Sequence, residues 1–566
     1  MQESKRSRVF ILPILLVLFT MLVSACGSAG NNSGSTAMAP PDKQVLRWPD
    51  VAIDDFGTLD PALGQDGADI FPMNTIYTSL VQLDDNNTVK DQLAASHTVS
   101  SDGMTYSFTL RPGLKFSDGS PLTANDVAYS INRAIDPATK SPVSYYLNLI
   151  KDYDKFQAGK LKTVIGDSLI VKDDTHLDIV ISKPAAYFLQ AMTYSTSRVV
   201  NKKLIDKYGA SWTDHLGEGA GDGPFKVSSY NHNKGLELVP NTNYYGPQPK
   251  LQKLEILFSG DIDTSYKAYL SDQYDVATSV PAASLADALQ RKDVHSYPAL
   301  TIYYLSMNYM AKPWDDIKVR QAFAVALNRD LLVQSVLKGT GYATNHIDPE
   351  GQPGYYKDLK SADGTTSTKG NPDLAKQLLQ QSSYGSASKL PPITLTYVSG
   401  STARNSLVTA MIQQWKDVLG VDVKLATAER SKMTQLGSST VGSSGPLSLW
   451  FDGWGADYPD PQDWLSTFFD KGSGYNSANY GQNNSPNAAQ QVAVQKQLQQ
   501  ADVTLDPTKR MQLYADAEQK LINDVAWAPV YQAKTYMLIN PKLHGYADNP
   551  LGIVAPDDWA DTYFTE

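Results

Sequence analysis

The chain contains a single cysteine, Cys26, among 566 residues. One thiol cannot form a disulfide within the chain, and it cannot build a metal centre from several thiolates. The fold must therefore be stabilised by its hydrophobic core. With 42% hydrophobic residues, a chain of this length can bury such a core in about two to four domains.

The residues before Cys26 have the layout of a signal peptide. Lys5, Arg6 and Arg8 are positively charged, and the apolar run Val9 to Val23 follows them. This run has about 15 residues, fewer than the ~20 that a membrane-spanning helix needs, which argues against an uncleaved transmembrane segment. Two small residues precede the cysteine, and this cleavage site resembles the bacterial lipobox. We therefore expect an exported protein that is anchored to the membrane by a lipid on Cys26.

Composition narrows the class of protein further. The net charge is −10 and no long basic run follows the first ten residues, which argues against nucleic acid as a partner because nucleic acid needs a clustered positive surface. Residues 27–40 are uncharged and rich in Gly, Ser and Asn, which predicts a flexible tether. The 32 tyrosines suit either a wet, adaptable binding surface or the filling of β-strands.

The remaining sequence alternates strand-like and helical patterns, which indicates a mixed α/β protein. After the signal-peptide segment, no apolar run of 18 or more residues occurs, and no internal repeat is found. Thr105–Leu110 and two segments within Leu169–Ile181 are predicted strands. Thr123 is the predicted N-cap of a helix with Asp126 in its first turn. The longer predicted helices cover Lys318–Lys338, Asn405–Leu419 and Arg510–Val525.

Motifs for catalysis are not found in the sequence. The seven histidines include no closely spaced metal-binding pair, and neither a G-x-S-x-G nucleophile elbow nor a P-loop occurs. The glycine-rich run Gly217–Gly223 precedes a predicted strand, whereas a dinucleotide loop must follow one, so we interpret the run as a turn. Prolines interrupt the acidic series Asp457, Asp460 and Asp463, which also lacks EF-hand spacing. We expect no cofactor, no metal and no enzymatic activity.

Six segments occur in an order that identifies a family. They are Leu59-Asp60-Pro61, Ser100–Pro137, Gly221–Phe225, Asn241–Tyr245, Asp315–Arg329 and Gly453–Pro461. From about residue 45 to its end, the chain resembles family 5 extracellular solute-binding proteins, the oligopeptide- and dipeptide-binding components of ABC importers.

The resemblance implies a two-lobed α/β fold of the periplasmic-binding-protein type, in the large class II variant with an extra subdomain. Two strands would join the lobes and act as a hinge. The expected divisions are a signal peptide at 1–25, an anchor and tether at 26–44, lobe I at 45–84 plus 200–304 plus 531–566, its inserted subdomain at 85–199, and lobe II at 305–530.

The resemblance also implies how a peptide is held. In oligopeptide-binding members, a W-x-A-D-Y motif supplies the carboxylate that binds the peptide ammonium, and the match here is Trp454-Gly455-Ala456-Asp457-Tyr458. A turn-capping role for Asp457 is the alternative. Two further segments match the family's strands that pair with the peptide backbone. They are Gly453–Gly455 on one lobe and Gln65-Asp66-Gly67 on the other.

The expected site for the peptide carboxylate departs from the best-known members. An arginine that some of them carry six residues before the motif acid is Phe451 here. Arg404 replaces a family histidine, Arg430 replaces a tryptophan that lines a side-chain pocket, and Lys338 lies one residue from a family lysine. We propose Arg404 or Lys338 as the carboxylate partner, with solvated surface cations as the alternative.

The sequence therefore predicts a monomeric extracytoplasmic receptor that captures short peptides and delivers them to the permease and ATPase of an ABC importer. One alternative is a receptor of the same family for another solute, such as an oligosaccharide, a metal chelate, an opine or a signalling peptide. A secreted hydrolase is the other.

Overall fold

The computed structural model describes residues 37–51, 53–546, 551–552 and 554–566. The predicted signal peptide, Cys26 and most of the predicted tether lie outside these residues. Within the described ranges, no helix combines the length and the apolar character that crossing a membrane would require.

Strands and helices alternate along the described chain. The strands are β1 (Val45–Val51), β2 (Val81–Leu83), β3 (Val89–Asp91), β4 (Ala94–Val99), β5 (Thr105–Leu110), β6 (Leu169–Asp173), β7 (His176–Val180), β8 (Phe225–Asn231), β9 (Gly235–Pro240), β10 (Lys253–Ser259), β11 (Val276–Ala277), β12 (Val294–Met307), β13 (Gly341–Ala343), β14 (Ile393–Val398), β15 (Val423–Ala428), β16 (Leu449–Gly455), β17 (Trp527–Ile539), β18 (Leu543–His544) and β19 (Tyr563–Phe564). The helices are α1 (Gly67–Ile76), α2 (Ala124–Ala134), α3 (Tyr153–Gln157), α4 (Phe188–Ala191), α5 (Lys202–Tyr208), α6 (Ile262–Leu270), α7 (Leu285–Ala288), α8 (Ile317–Val325), α9 (Arg329–Leu331), α10 (Pro372–Gln381), α11 (Thr402–Leu419), α12 (Arg430–Thr440), α13 (Leu465–Phe469), α14 (Ala488–Val503) and α15 (Pro507–Asp524).

The first sheet has the strand order β1-β10-β9-β8, with β1 parallel to β10 and the other pairs antiparallel. Leu46 and Trp48 alternate along β1, and Leu254 and Ile256 alternate along β10. All four side chains are buried in one core, because residues two apart on a strand face the same side of the sheet.

A second sheet has the order β4-β5-β7-β6 and packs around its own core. Tyr106, Phe108 and Leu110 of β5 point into this core, as the alternating sequence predicts. Helix α2 begins after Thr123, whose backbone N–H donates to Asp126 Oδ2 at 2.8 Å. The predicted strand Thr105–Leu110 and the predicted N-cap are both confirmed.

The third sheet has seven strands, in the order β11-β17-β12-β16-β14-β15, with β13 also paired to β17. Strand β17 links two hydrophobic cores, since Val530 lies in the core beneath this sheet and Met537 and Ile539 lie in the core of the first sheet. The pairing of β12 with β17 is interrupted between Pro298 and Ile302. The two long strands therefore join two separately packed lobes, which agrees with the predicted fold class. The residue limits of the lobes and of the subdomain stay predictions.

Two of the motif segments have structural roles. Arg133 of α2 forms two hydrogen bonds to Asp60, one of them from Nη1 to Oδ1 at 2.9 Å, and the Trp212 indole N–H donates to the same carboxylate. Gly221 lies in the loop before β8, where an added Cβ would be 2.1 Å from the carbonyl oxygen of Ile76. Glycine is needed there because two backbone segments approach closely.

The single helix predicted over Lys318–Lys338 is wrong, because the chain leaves helical geometry at Asn328 (φ −85°, ψ 93°). The carbonyl of Val325 accepts from Asn371 N–H at 2.8 Å, and Arg329 N–H donates to Thr368 O at 2.9 Å. These contacts replace helical hydrogen bonds, and the Asn328 side chain caps α9. The helix predicted over Asn405–Leu419 is confirmed as α11, although it begins three residues earlier after Ser401.

Candidate functional site

A cavity of about 280 Å³, here called the cleft cavity, lies between residues 65–66, residues 143–146 and 194, and the seven-stranded sheet. Aromatic side chains dominate its walls. They are Tyr145, Tyr146, Tyr194, Tyr304, Trp450, Trp454, Phe468, Tyr475 and Trp527. The ionisable side chains that line it are Asp66, Arg430, Asp452 and Asp457. A cavity that combines aromatic walls with a few charged groups is typical of a ligand-binding site.

Strand β16 brings the W-x-A-D-Y motif to this cavity. On one edge it pairs with β12, with Gly453 opposite Tyr303 and Gly455 opposite Thr301. On its other edge it pairs with β14 only as far as Phe451. Among the described residues, no strand pairs with the backbone of Asp452–Gly455 on that edge, which gives an extended ligand a place to pair.

Asp457 follows the end of β16 and lines the cavity. Its backbone N–H donates to Asp463 Oδ2 at 3.0 Å. Its Oδ2 atom is buried and accepts no hydrogen bond from any described residue. Burial, and then the neighbouring Asp463 carboxyl, raise the pKa of Asp457 well above its usual range. The site thus contains a carboxyl with one buried oxygen, and no described residue forms an ion pair with it.

Asp463 lies directly behind Asp457 and is fully buried, with 1% of its surface exposed. Its Oδ2 accepts the indole N–H of Trp454 at 3.2 Å as well as the Asp457 N–H. Burial raises the pKa of Asp463 to about 8, although these two donors act in the opposite direction. The two carboxyls therefore favour a state that holds a proton when no cation is present.

The turn after Asp457 is fixed by a buried ion pair. Asp460 receives two hydrogen bonds from Arg510 of α15, one of them from Nη1 to Oδ2 at 2.7 Å, and both side chains are at most 3% exposed. Asp460 Oδ1 also accepts the backbone N–H of Gln462 at 2.9 Å. A bidentate pair of this kind holds the acidic turn in one geometry.

Tyrosines from distant parts of the chain line the same cavity as Asp457. The ring centroids of Tyr145 and Tyr475 are 5.4 Å apart, and Trp454 lies 5.6 Å from Tyr475. The Tyr145 hydroxyl donates to the Tyr146 hydroxyl at 2.7 Å. Sequence reasoning did not select these tyrosines, because no motif contains them. The high tyrosine content was the only signal for them.

Half of the predicted ligand-binding residues line the cleft cavity. They are Gln65, Asp66, Arg430, Gly453, Trp454 and Asp457. The pairing of Gln65-Asp66-Gly67 with a peptide backbone stays a prediction. Gly67 begins helix α1, where the Asp66 carbonyl accepts N–H groups from Asp69 and Ile70.

Gly455, Ala456 and Tyr458 contribute to the frame of the site but do not line the cavity. Ala456 N–H donates to the carbonyl of Leu300 at 2.8 Å, and the buried Tyr458 hydroxyl donates to Gln462 Oε1. Tyr458 lines a second cavity of about 580 Å³, which adjoins the first at Tyr145 and Tyr475.

The two predicted carboxylate partners also lie away from the cleft cavity. Arg404 Nη1 donates to the Val398 carbonyl at 3.0 Å. Lys338 is exposed and adopts a positive φ of 52°, in the connection before β13. Arg430, by contrast, lines the cavity and pairs with Asp452 at 2.9 Å. Within the described part of the chain, no group of three His, Cys, Asp or Glu side chains is placed to hold a metal ion.

Residues 88–476 match the family described as bacterial extracellular solute-binding proteins, family 5 Middle. This match spans more than half of the chain. The chain belongs to that family, which confirms the resemblance seen in the sequence.

Two curated relatives and one solved structure illustrate the similarity. The oligopeptide-binding protein OppA of Bacillus subtilis is 26% identical over 525 residues, covering 91% of this chain and 93% of the relative. The dipeptide-binding protein DppE of the same organism is 28% identical over 510 residues, covering 89% and 90%. The murein tripeptide-binding protein MppA of Escherichia coli has a similar structure, with a TM-score of 0.76 at 27% identity, covering 94% of this chain and all of that one.

Proposed function

We propose that this protein captures short peptides outside the cytoplasm and delivers them to the permease of an ABC importer. The observation that supports this most directly is the buried, unpaired Oδ2 atom of Asp457 in an aromatic cavity. A peptide ammonium supplies the missing positive charge and hydrogen-bond donor, and tyrosine and tryptophan rings favour a cation beside them.

The backbone of the ligand has its own place in this proposal. Residues Asp452–Gly455 present one strand edge that β14 does not cover. Strand side chains project to the two faces of a sheet, so this edge presents backbone N–H and C=O groups, and a peptide can pair with them along its main chain. Main-chain pairing is independent of ligand sequence, which suits a receptor for varied peptides.

The names of the relatives agree with a peptide ligand, since OppA, DppE and MppA are named for oligopeptides, dipeptides and a murein tripeptide. A receptor of this kind returns its ligand intact, so we propose that the protein is not an enzyme. Incubation with peptide for hours, followed by mass spectrometry, tests this point because a hydrolase would leave shorter products. We also propose that it acts as a monomer.

We further propose that Cys26 carries the lipid that keeps the receptor beside its permease. Each buried methylene of an acyl chain contributes roughly 0.8 kcal/mol to membrane binding, so two or more chains suffice for stable attachment. The uncharged segment after the cysteine would leave the lobes free to approach the transporter.

Isothermal titration calorimetry with trialanine and its Nα-acetylated form tests the proposed function. Acetylation leaves the peptide backbone and its carboxylate unchanged but removes the ammonium. We expect trialanine to bind at least about tenfold more tightly than the acetylated peptide. Equal affinities would contradict the assignment of Asp457 as the ammonium site.

A further inference from the structure

Positive charge is scarce in the cleft cavity. Of the described residues that line it, Arg430 is the one cation, alongside the three acids Asp66, Asp452 and Asp457. The two cations that the sequence suggested for a ligand carboxylate, Arg404 and Lys338, are not among the lining residues. Among the described residues, a carboxylate held inside this cavity therefore meets Arg430 as its one cationic wall residue, whereas Lys183 and Lys471 line the adjoining second cavity.

The Arg430 guanidinium has N–H donors besides the one that binds Asp452. Arg430 is the first residue of helix α12, and its Nη1 donates to Asp452 Oδ1 at 2.9 Å. That oxygen also accepts the backbone N–H of Gly453 at 2.9 Å, which holds the Asp452 carboxylate in place. A guanidinium has five N–H donors in a planar fork. Since 56% of the Arg430 side chain is exposed, its other donors can meet a ligand without breaking the bond to Asp452.

The wall that leads to Arg430 has room for a ligand. Arg430, Met433, Thr434, Gly437 and Ser438 all line the cavity. Their spacing of three and four residues places them on one face of α12. Apart from Arg430 this face is uncharged, and Thr434, Gly437 and Ser438 have small side chains. A ligand chain can therefore lie along the helix and end at the guanidinium.

We propose that Arg430 is the carboxylate-binding residue of the cleft cavity and accepts a ligand carboxylate beside its ion pair with Asp452. This inference rests on the proposed function, because it assumes a peptide whose ammonium is bound at Asp457. The carboxylate is either the C-terminus of a very short peptide or an acidic side chain of a longer one. The cavity would thus select ligands that have opposite charges at its two ends.

Calorimetry with matched peptides tests the assignment. Alanine peptides of two to five residues are titrated as free acids and as C-terminal amides, and Ala-Glu-Ala amide is compared with Ala-Gln-Ala amide. In the unmodified protein, removing the carboxylate that reaches Arg430 should weaken binding about tenfold or more. The Arg430→Gln variant should remove this difference, and Arg430→Lys should restore part of it.

Two further variants serve as controls. Arg404→Gln removes a cation that does not line the cavity, so it should keep the full carboxylate effect. Arg430→Gln combined with Asp452→Asn removes both members of the ion pair and leaves no buried carboxylate unpaired. If Arg430→Gln unfolds, this double variant replaces it and should also lack the carboxylate effect.

The outcomes separate the possibilities. An effect of amidation at one peptide length identifies the C-terminus as the source, and an effect of Glu against Gln identifies a side chain. A third outcome is that Nα-acetylation weakens binding while amidation and the Glu-to-Gln change have the same effect in Arg430→Gln as in the unmodified protein. That result overturns the Arg430 assignment and leaves the proposed function standing. If none of the peptides binds, or if acetylation has no effect, the proposed function fails and this inference fails with it.

Discussion

Replacement of Asp457 by asparagine tests the ammonium site with almost no change in shape. The buried Oδ2 atom has no hydrogen-bond partner among the described residues, so a bound ammonium would make a new charge-assisted hydrogen bond there. Removing one partner of a buried charge pair costs about 2–5 kcal/mol of binding free energy. We expect the lower half of this range, because burial already raises the pKa of Asp457 and the carboxyl must release a proton before it pairs. A loss of about 2–3 kcal/mol corresponds to about 30- to 150-fold weaker binding.

Isothermal titration calorimetry with trialanine and Nα-acetyl-trialanine measures this loss. The Asp457→Asn variant should bind the two peptides with equal affinity, because the carboxylate proposed to pair with the ammonium is absent. Asp516→Asn is the matched control, since Asp516 is exposed on α15 and does not line the cavity. Its affinity should equal that of the unmodified protein, and thermal unfolding of each variant checks that it is folded.

Two results would refute the reasoning. One is an affinity for trialanine that changes less than about threefold in Asp457→Asn. The other is a loss of the same size for both peptides, since this would mean that the substitution disturbs the cavity without removing an ammonium contact.

Three further predictions concern the pH dependence of stability, the buried ion pair and the lipid anchor. Without a bound cation, the pKa values of Asp457 and Asp463 are raised in the folded state. Between about pH 4 and pH 8 the folded state therefore holds protons that the unfolded state has released. The free energy of unfolding should fall as pH rises through this window. Differential scanning fluorimetry should show this fall, with a smaller slope in Asp463→Asn or with peptide bound; an identical slope in that variant would contradict it. Asp460→Asn leaves Arg510 buried without its counter-ion, so urea unfolding should show a loss of about 3–5 kcal/mol, and a loss below about 1 kcal/mol would mean that the pair is dispensable. Cys26→Ser should move the protein from the membrane fraction to the soluble fraction with unchanged peptide affinity; retention in the membrane would exclude the lipid anchor.

Short-range sequence patterns predicted much of the local structure. Strand β5 was predicted within its observed limits, and the cap at Thr123 was predicted from a single spacing. These features depend on hydrogen bonds and side-chain alternation between neighbours in sequence. The break at Asn328 could not be predicted in the same way, because the bonds that replace the helix come from Thr368 and Asn371, some forty residues away.

The binding site shows the same difference between residues that a local motif predicts and residues that only the fold brings together. Asp457 was predicted because a continuous motif contains it, and the structure places it in the cavity. The tyrosines around it lie more than 200 residues away in sequence or in loops without a motif, so only the fold brings them together. Arg404 and Lys338 were suggested by position relative to family residues, and such reasoning does not determine which cations face the cavity. Arg430 faces the cavity, because helix α12 lies beside the cleft and its helical spacing places Arg430 on the lining face.

The central claim is that the protein captures peptides with a free amino terminus. Native mass spectrometry of protein purified without denaturation, followed by release of its ligand and labelling with an amine-reactive reagent, tests this claim most directly. We expect the protein to retain one small molecule per chain, and we expect the released species to be peptides that fragment as amino-acid sequences and label at their α-amino groups. Retained molecules that lack a primary amine, such as a neutral oligosaccharide, would contradict the claim.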